Sequence, residues 1–70
     1  MHRHYISSSV IRWYGYDHKA GALEIEFNSG HIYRYSGVPA ETYAALEAAK
    51  SKGQFFDFHI REKFPTKRLL

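Results

Sequence analysis

The chain has 70 residues, no cysteine and a net charge of +3, with 44% hydrophobic and 17% aromatic side chains. That length builds one core and no second domain, the apolar content is too high for a disordered chain, and the missing thiols exclude a disulfide framework, a thiolate metal site and a cysteine nucleophile. The charge is lopsided: residues 1–49 carry four basic and five acidic side chains (−1), residues 50–70 six and two (+4), a distribution that suits an anionic partner, most often nucleic acid.

The opening Met1-His2-Arg3-His4-Tyr5 is too polar for a signal peptide, and no apolar run nears the roughly 18 residues of a membrane span. The expectation is a cytoplasmic protein whose residues 1–6 are a flexible N-terminus. After the serines at 7–9, Val10 to Tyr16 is rich in β-branched and aromatic residues and reads as a first strand, with Gly15 the candidate for a bulge that switches its facing. The pattern leaves open which of Trp13 and Tyr14 faces outward. Asp17 to Gly21 is a turn, with Gly21 free to take a positive φ.

Leu23, Ile25 and Phe27 alternate with Glu24 and Glu26, the signature of a half-buried second strand. Asn28-Ser29-Gly30 closes a hairpin into a third strand over His31 to Ser36, and its loop length decides the register. A two-residue loop sets Ile25 opposite Arg34 and mixes core with charge. A three-residue loop with Gly30 left-handed pairs Leu23 with Tyr35, Glu24 with Arg34 and Ile25 with Tyr33, which is consistent on both faces. The second register is preferred; it places Tyr33 and Tyr35 on the buried face and leaves a partly acidic outer face, unsuited to an RNA-stacking platform.

Pro39 fits a first helical position, and Glu41 lies where the helix dipole favours an acid. The first helix is expected from Pro39 to Lys50, with Tyr43, Leu46 and Ala49 facing the sheet. Ser51 and Gln54 have capping-box spacing, so a second helix starts there, carrying Phe55, Phe56, His59, Ile60 and Phe64 on its apolar side and ending at Pro65. The predicted architecture is α+β: a three-stranded antiparallel meander followed by two helices packed on one face (βββαα). It forms a single domain over residues 7–65 with a basic tail over 66–70.

No catalytic constellation stands out. The histidines at 2, 4, 18, 31 and 59 include no compact ligand pair within a regular element, so neither a metal nor another cofactor is expected. Asp17-His18 with one of the serines at 7–9 lacks the elbow and oxyanion motif of a hydrolytic triad. Glu24 and Glu26 stand about 7 Å apart by pleat geometry, but with Arg34 beside them they read as a charged ladder. Gly37-Val38-Pro39 lacks the glycines of a phosphate loop. The chain is therefore read as non-enzymatic. The candidate nucleic-acid contacts are Lys52, Arg61, Lys63, Lys67 and Arg68, which bind phosphate without reading sequence, although Arg61 and Lys63 are too close to share one helical stripe. The alternative is a protein-interaction module or homodimer that uses its aromatic surface and the apolar end Leu69-Leu70.

Taken in order, Ser-Ser-Ser-Val-Ile from Ser7, Gly15-Tyr16-Asp17, Leu23 to Phe27, Tyr33 to Pro39 and Ser51 to Phe64 resemble the KTSC domain, a short module named for the C-terminus of some lysyl-tRNA synthetases and also found as stand-alone bacterial proteins. The likeness runs from Ser7 to about Leu69. It implies that Tyr33 and Tyr35 are the family's central Tyr-x-Tyr and that His59-Ile60-Arg61 is its second-helix motif. It also implies, through the synthetase association, RNA as a partner, whether tRNA or a single strand. Two positions depart from the family pattern: Tyr14, where an aliphatic residue commonly precedes Gly-Tyr-Asp, and Asp57, where asparagine usually follows phenylalanine.

Overall fold

The computed structural model describes residues 1–70. Five strands, β1 (Arg3–Tyr5), β2 (Ile11–Asp17), β3 (Ala22–Phe27), β4 (Ile32–Tyr35) and β5 (Thr66–Arg68), form one sheet in the order β1-β2-β3-β4-β5, each antiparallel to its neighbour. Two helices, α1 (Ala40–Ala48) and α2 (Lys52–His59), intervene between β4 and β5. The α+β class and the antiparallel sheet with two helices hold, whereas the expected three strands are five. The two additions lie outside the 7–65 span, within residues 1–6 and the 66–70 tail. Each is three residues long and largely polar, too short for alternation to show, and each is recruited by the backbone donors and acceptors that an outer strand of a three-stranded sheet leaves unpaired. Ser36 donates its amide to the Pro65 carbonyl at 2.9 Å and Leu69 donates to that of Ile32 at 2.7 Å, which extends the β4–β5 ladder at both ends.

The central hairpin takes the register that satisfies both faces: Leu23 opposite Tyr35, Glu24 opposite Arg34, Ile25 opposite Tyr33. Gly30, at φ 96°, closes the three-residue loop by donating to the Phe27 carbonyl at 2.9 Å. The irregularity in β2 does not fall at Gly15: the register slips between Ile11 and Trp13, leaving Arg12 as the extra residue. Arg12 and Trp13 then both point away from the helices, and Tyr14 and Tyr16 point toward them. Gly15 answers to a different constraint, because a Cβ there would lie 2.9 Å from the His2 carbonyl oxygen and from the Met1 sulfur, where the N-terminal strand crosses.

Both helices are shorter than expected. Helix α1 begins after Pro39 and ends at Ala48. Helix α2 is capped by Ser51, whose hydroxyl accepts from the Gln54 amide at 3.3 Å, but it stops at His59 rather than at Pro65. Ile60 and Arg61 both donate to the Phe56 carbonyl, and Glu62 takes a left-handed φ of 59°. That turn keeps Ile60 fully buried while redirecting the chain toward β5. The core between sheet and helices comprises Ile11, Tyr14, Tyr16, Leu23, Ile25 and Tyr35 from the sheet side, with Val38, Tyr43, Leu46, Phe56 and Ile60 above them. The Tyr16 hydroxyl donates to the Val38 carbonyl, and Tyr16 stacks on Tyr43 at 4.4 Å between ring centres, so one strand tyrosine fixes the approach to α1.

Candidate functional site

Where β3, β4 and α2 meet, the core does not close, and an open groove of about 300 Å³ remains. Its floor and walls are Phe27, Tyr33, Tyr35 and Phe56, with His31 and Arg61 among its polar residues. The hairpin register supplies the strand side, since residues 27, 31, 33 and 35 share the helix-covered face. Helical spacing supplies the other side: Asp57 and Arg61, four residues apart, pair at 3.4 Å beside the groove.

The rings form a connected series. His31 lies 6.4 Å from Tyr33, Tyr33 5.7 Å from Phe27, Phe27 5.2 Å from Phe56, and Phe56 5.3 Å from Tyr35. Tyr35 and Phe56 are buried, Phe27 and Tyr33 half-buried, and His31 exposed, so ring surface becomes more available toward the mouth. Burial pushes the Tyr35 phenol up to about 12, with neighbouring Tyr33 adding to the rise and Arg61 opposing it. The phenol stays protonated at neutral pH and presents a donor. At the rim, Arg68 approaches His31 Nδ1 with its Nη2 at 3.0 Å. A guanidinium only donates, so in this contact Nδ1 stands as the acceptor.

The five cations singled out from the sequence do not share one surface. Arg61 and Arg68 stand at the groove. Lys67, next to Arg68 in an extended strand, points to the opposite face, beside Arg34. Lys63 is exposed on the turn after α2. Lys52 donates to the Ala49 carbonyl at 3.1 Å and, with Lys50, borders a separate polar hollow of about 240 Å³ formed with Ser7, Ser8 and Ser9. Tyr33 and Tyr35 both line the groove, so the Tyr-x-Tyr and the arginine of His-Ile-Arg meet at one place. Sequence reasoning passed over Phe27, His31 and Asp57 as site residues, although the preferred register already set the first two beside Tyr33 and helical spacing set the third beside Arg61.

On the helix-free face both carboxylates of the second hairpin strand are paired. Glu24 pairs with Arg34 at 3.2 Å and Glu26 with Arg12 at 3.6 Å. Trp13 donates its indole N–H to Glu26, and the Arg3 guanidinium covers its ring at 4.4 Å, leaving the residue 1% exposed. No helix of the molecule is long and apolar enough to cross a membrane.

The KTSC domain family model matches residues 7–64. An uncharacterized protein of Stutzerimonas stutzeri is 46% identical over 57 residues, covering 81% of this chain and 80% of its own. A lysine–tRNA ligase of Nostoc punctiforme is 43% identical over 61 residues; the match takes in 87% of this chain but only 11% of the ligase. Among solved structures, the crystal structure of a KTSC domain protein from Yersinia pestis superposes with a TM-score of 0.94 at 39% identity, covering 99% of this chain and 97% of that one.

Proposed function

The chain belongs to the KTSC domain family, and from that membership and the geometry of the groove we propose that it is a non-enzymatic RNA-binding module of the cytoplasm. The observation that carries the reading is convergence: Tyr33, Tyr35 and Arg61, drawn from two distant segments, line one open aromatic groove with Arg68 at its rim. Ring faces stack on bases, and exposed guanidinium groups hold phosphate. The occurrence of related sequence inside lysine–tRNA ligases supports RNA over DNA. The outer face supports the same reading, since its one large ring, Trp13, is already covered.

The test is a fluorescence-anisotropy titration of labelled tRNA and of a random single strand at about 50 and 200 mM salt. Binding weakens steeply with salt, because each phosphate contact releases counterions. The double variant Arg61→Ala, Arg68→Ala lowers affinity and flattens the salt dependence, while Lys67→Ala, on the other face, changes both less. Equal loss in the double variant and in Lys67→Ala, or no loss in either, refutes the assignment to the groove.

A second reading, docking of a protein or of a second copy, rests on the apolar groups left uncovered: Phe58 is 74% exposed, Tyr5 67% and Leu70 66%. Sedimentation that gives the dimer mass at low micromolar concentration, lost on Phe58→Ser, favours it.

A further inference from the structure

Resting on the RNA-binding reading, we infer that the groove is a single-nucleotide site: it takes one unpaired base against the His31–Tyr33 end of the ring series, with the flanking phosphate on Arg61 and Arg68. Three observations lead there.

Size comes first. At about 300 Å³ the groove sits at the lower limit of small-molecule sites, which leaves room for one splayed base and not for a helical stem. A duplex keeps its ring faces inside its own stack, so partly exposed rings set within a groove are reached only by a base that has left the stack. The ring gradient comes second. Tyr35 and Phe56 are buried beneath the groove, whereas Tyr33 is half-buried and His31 exposed, with their planes only 24° apart at 6.4 Å. A base entering from solvent meets this near-parallel pair before the floor.

The third observation is the state of the cations. Arg61 is tied only to Asp57, at 3.4 Å with both side chains more than half exposed, a contact that contributes little and that a phosphate displaces readily. Arg68 is held at the mouth through the His31 ring and the Leu70 main-chain oxygen. No other surface combines these elements. The serine-lined hollow beside Lys50 and Lys52 has Ile6 as its sole hydrophobic lining residue and no ring, and on the outer face the one large ring, Trp13, lies buried under Arg3.

Asp57 acts as a brake in this arrangement. It competes with phosphate for Arg61 and repels it, so Asp57→Asn, which preserves size and helix position, should tighten binding by about two- to tenfold at low salt.

The experiment compares a 12-nucleotide single-stranded RNA with a blunt duplex of the same length on the intact chain at fixed salt, and maps amide shifts on adding AMP and UMP. Single strand is expected to bind at least about tenfold tighter than duplex. Shifts should centre on Ser29, His31, Tyr33 and Arg61 and spare Glu24, Arg34 and Lys50. Tyr33→Leu should abolish the preference for single strand, and Tyr33→Phe, which keeps the ring, should retain it; the unchanged fold of each is checked by its amide spectrum. Equal affinity for duplex and single strand, a preference that survives Tyr33→Leu, or shifts confined to another surface would overturn the single-nucleotide site while leaving RNA binding intact. No binding of either RNA at low salt would overturn both readings.

Discussion

The two faces of this sheet are built from the same strands with the same two-residue period, yet they solve opposite problems. The helix-covered face receives Leu23, Ile25, Tyr33 and Tyr35, excludes water over most of its area and fails to close only at the groove. The open face receives Glu24, Glu26, Arg12, Arg34 and Trp13 and closes itself without a second layer, by pairing each carboxylate with an arginine and capping its one large ring with Arg3. The difference teaches that accessibility of a sheet face is not decided by whether a helix lies over it. On the covered side ring surface remains available to a ligand, and on the uncovered side it does not.

The largest effect should come from the residue that blurs the comparison. Trp13 lies on the open face but is as buried as the core, so Trp13→Ala should cost about 3 to 5 kcal/mol, as much as truncating a core residue such as Leu46. Against a total stability of about 5 to 15 kcal/mol for a domain, urea unfolding will show this plainly; a loss under about 1 kcal/mol would mean that the Arg3 cover contributes no real burial.

A smaller effect distinguishes the covered face by pH. Burial raises the phenols of Tyr35, to about 12, and of Tyr43, whose hydroxyl also donates to Glu47. In the unfolded chain a phenol ionises near about 10. A group whose folded value is raised contributes stability that is fully present below the unfolded value and is lost as pH climbs toward the folded one. The urea midpoint should therefore hold up to about pH 10 and fall between about 10 and 12, and the fall should be shallower in Tyr35→Phe. An identical slope in that variant would assign the alkaline loss to other groups.

The smallest effect belongs to the charge ladder. Glu24→Gln removes a partly exposed ion pair with Arg34, and such pairs contribute about 0 to 1 kcal/mol. A melting temperature shifted by no more than a few degrees is expected; a core-sized loss would show that the ladder, and not Trp13, holds the open face together.

Much of this was legible along the chain because the physics involved is local. Glu24 and Glu26 between Leu23, Ile25 and Phe27 fix which way the second hairpin strand faces, and only one loop length keeps Arg34 off the core, so the Tyr33 and Tyr35 placement followed. Ser51 and Gln54 announced the start of α2 because capping acts within four residues. The bulge was harder: Gly15 offered the conventional signal, whereas the slip falls at Arg12, where nothing in the residue type marks it. Of the groove, the Tyr-x-Tyr and Arg61 are each visible in the sequence, but nothing local to either shows that they meet.

Local alternation, turn chemistry and capping thus determined from the sequence alone an α+β domain with its central hairpin in register and two helices after it. The tertiary structure decided the two edge strands, which are three residues long and owe their existence to unpaired backbone groups on other segments of the chain. It decided the end of α2, where burying Ile60 outweighed continuing the helix, and the burial of Trp13 beneath Arg3. It also divided Lys67 from Arg68, because adjacent residues of a strand face opposite ways once β5 is formed. Each of these outcomes depends on contacts between separate segments of the chain, and free energy that arises only when such segments meet leaves no periodic trace in either one.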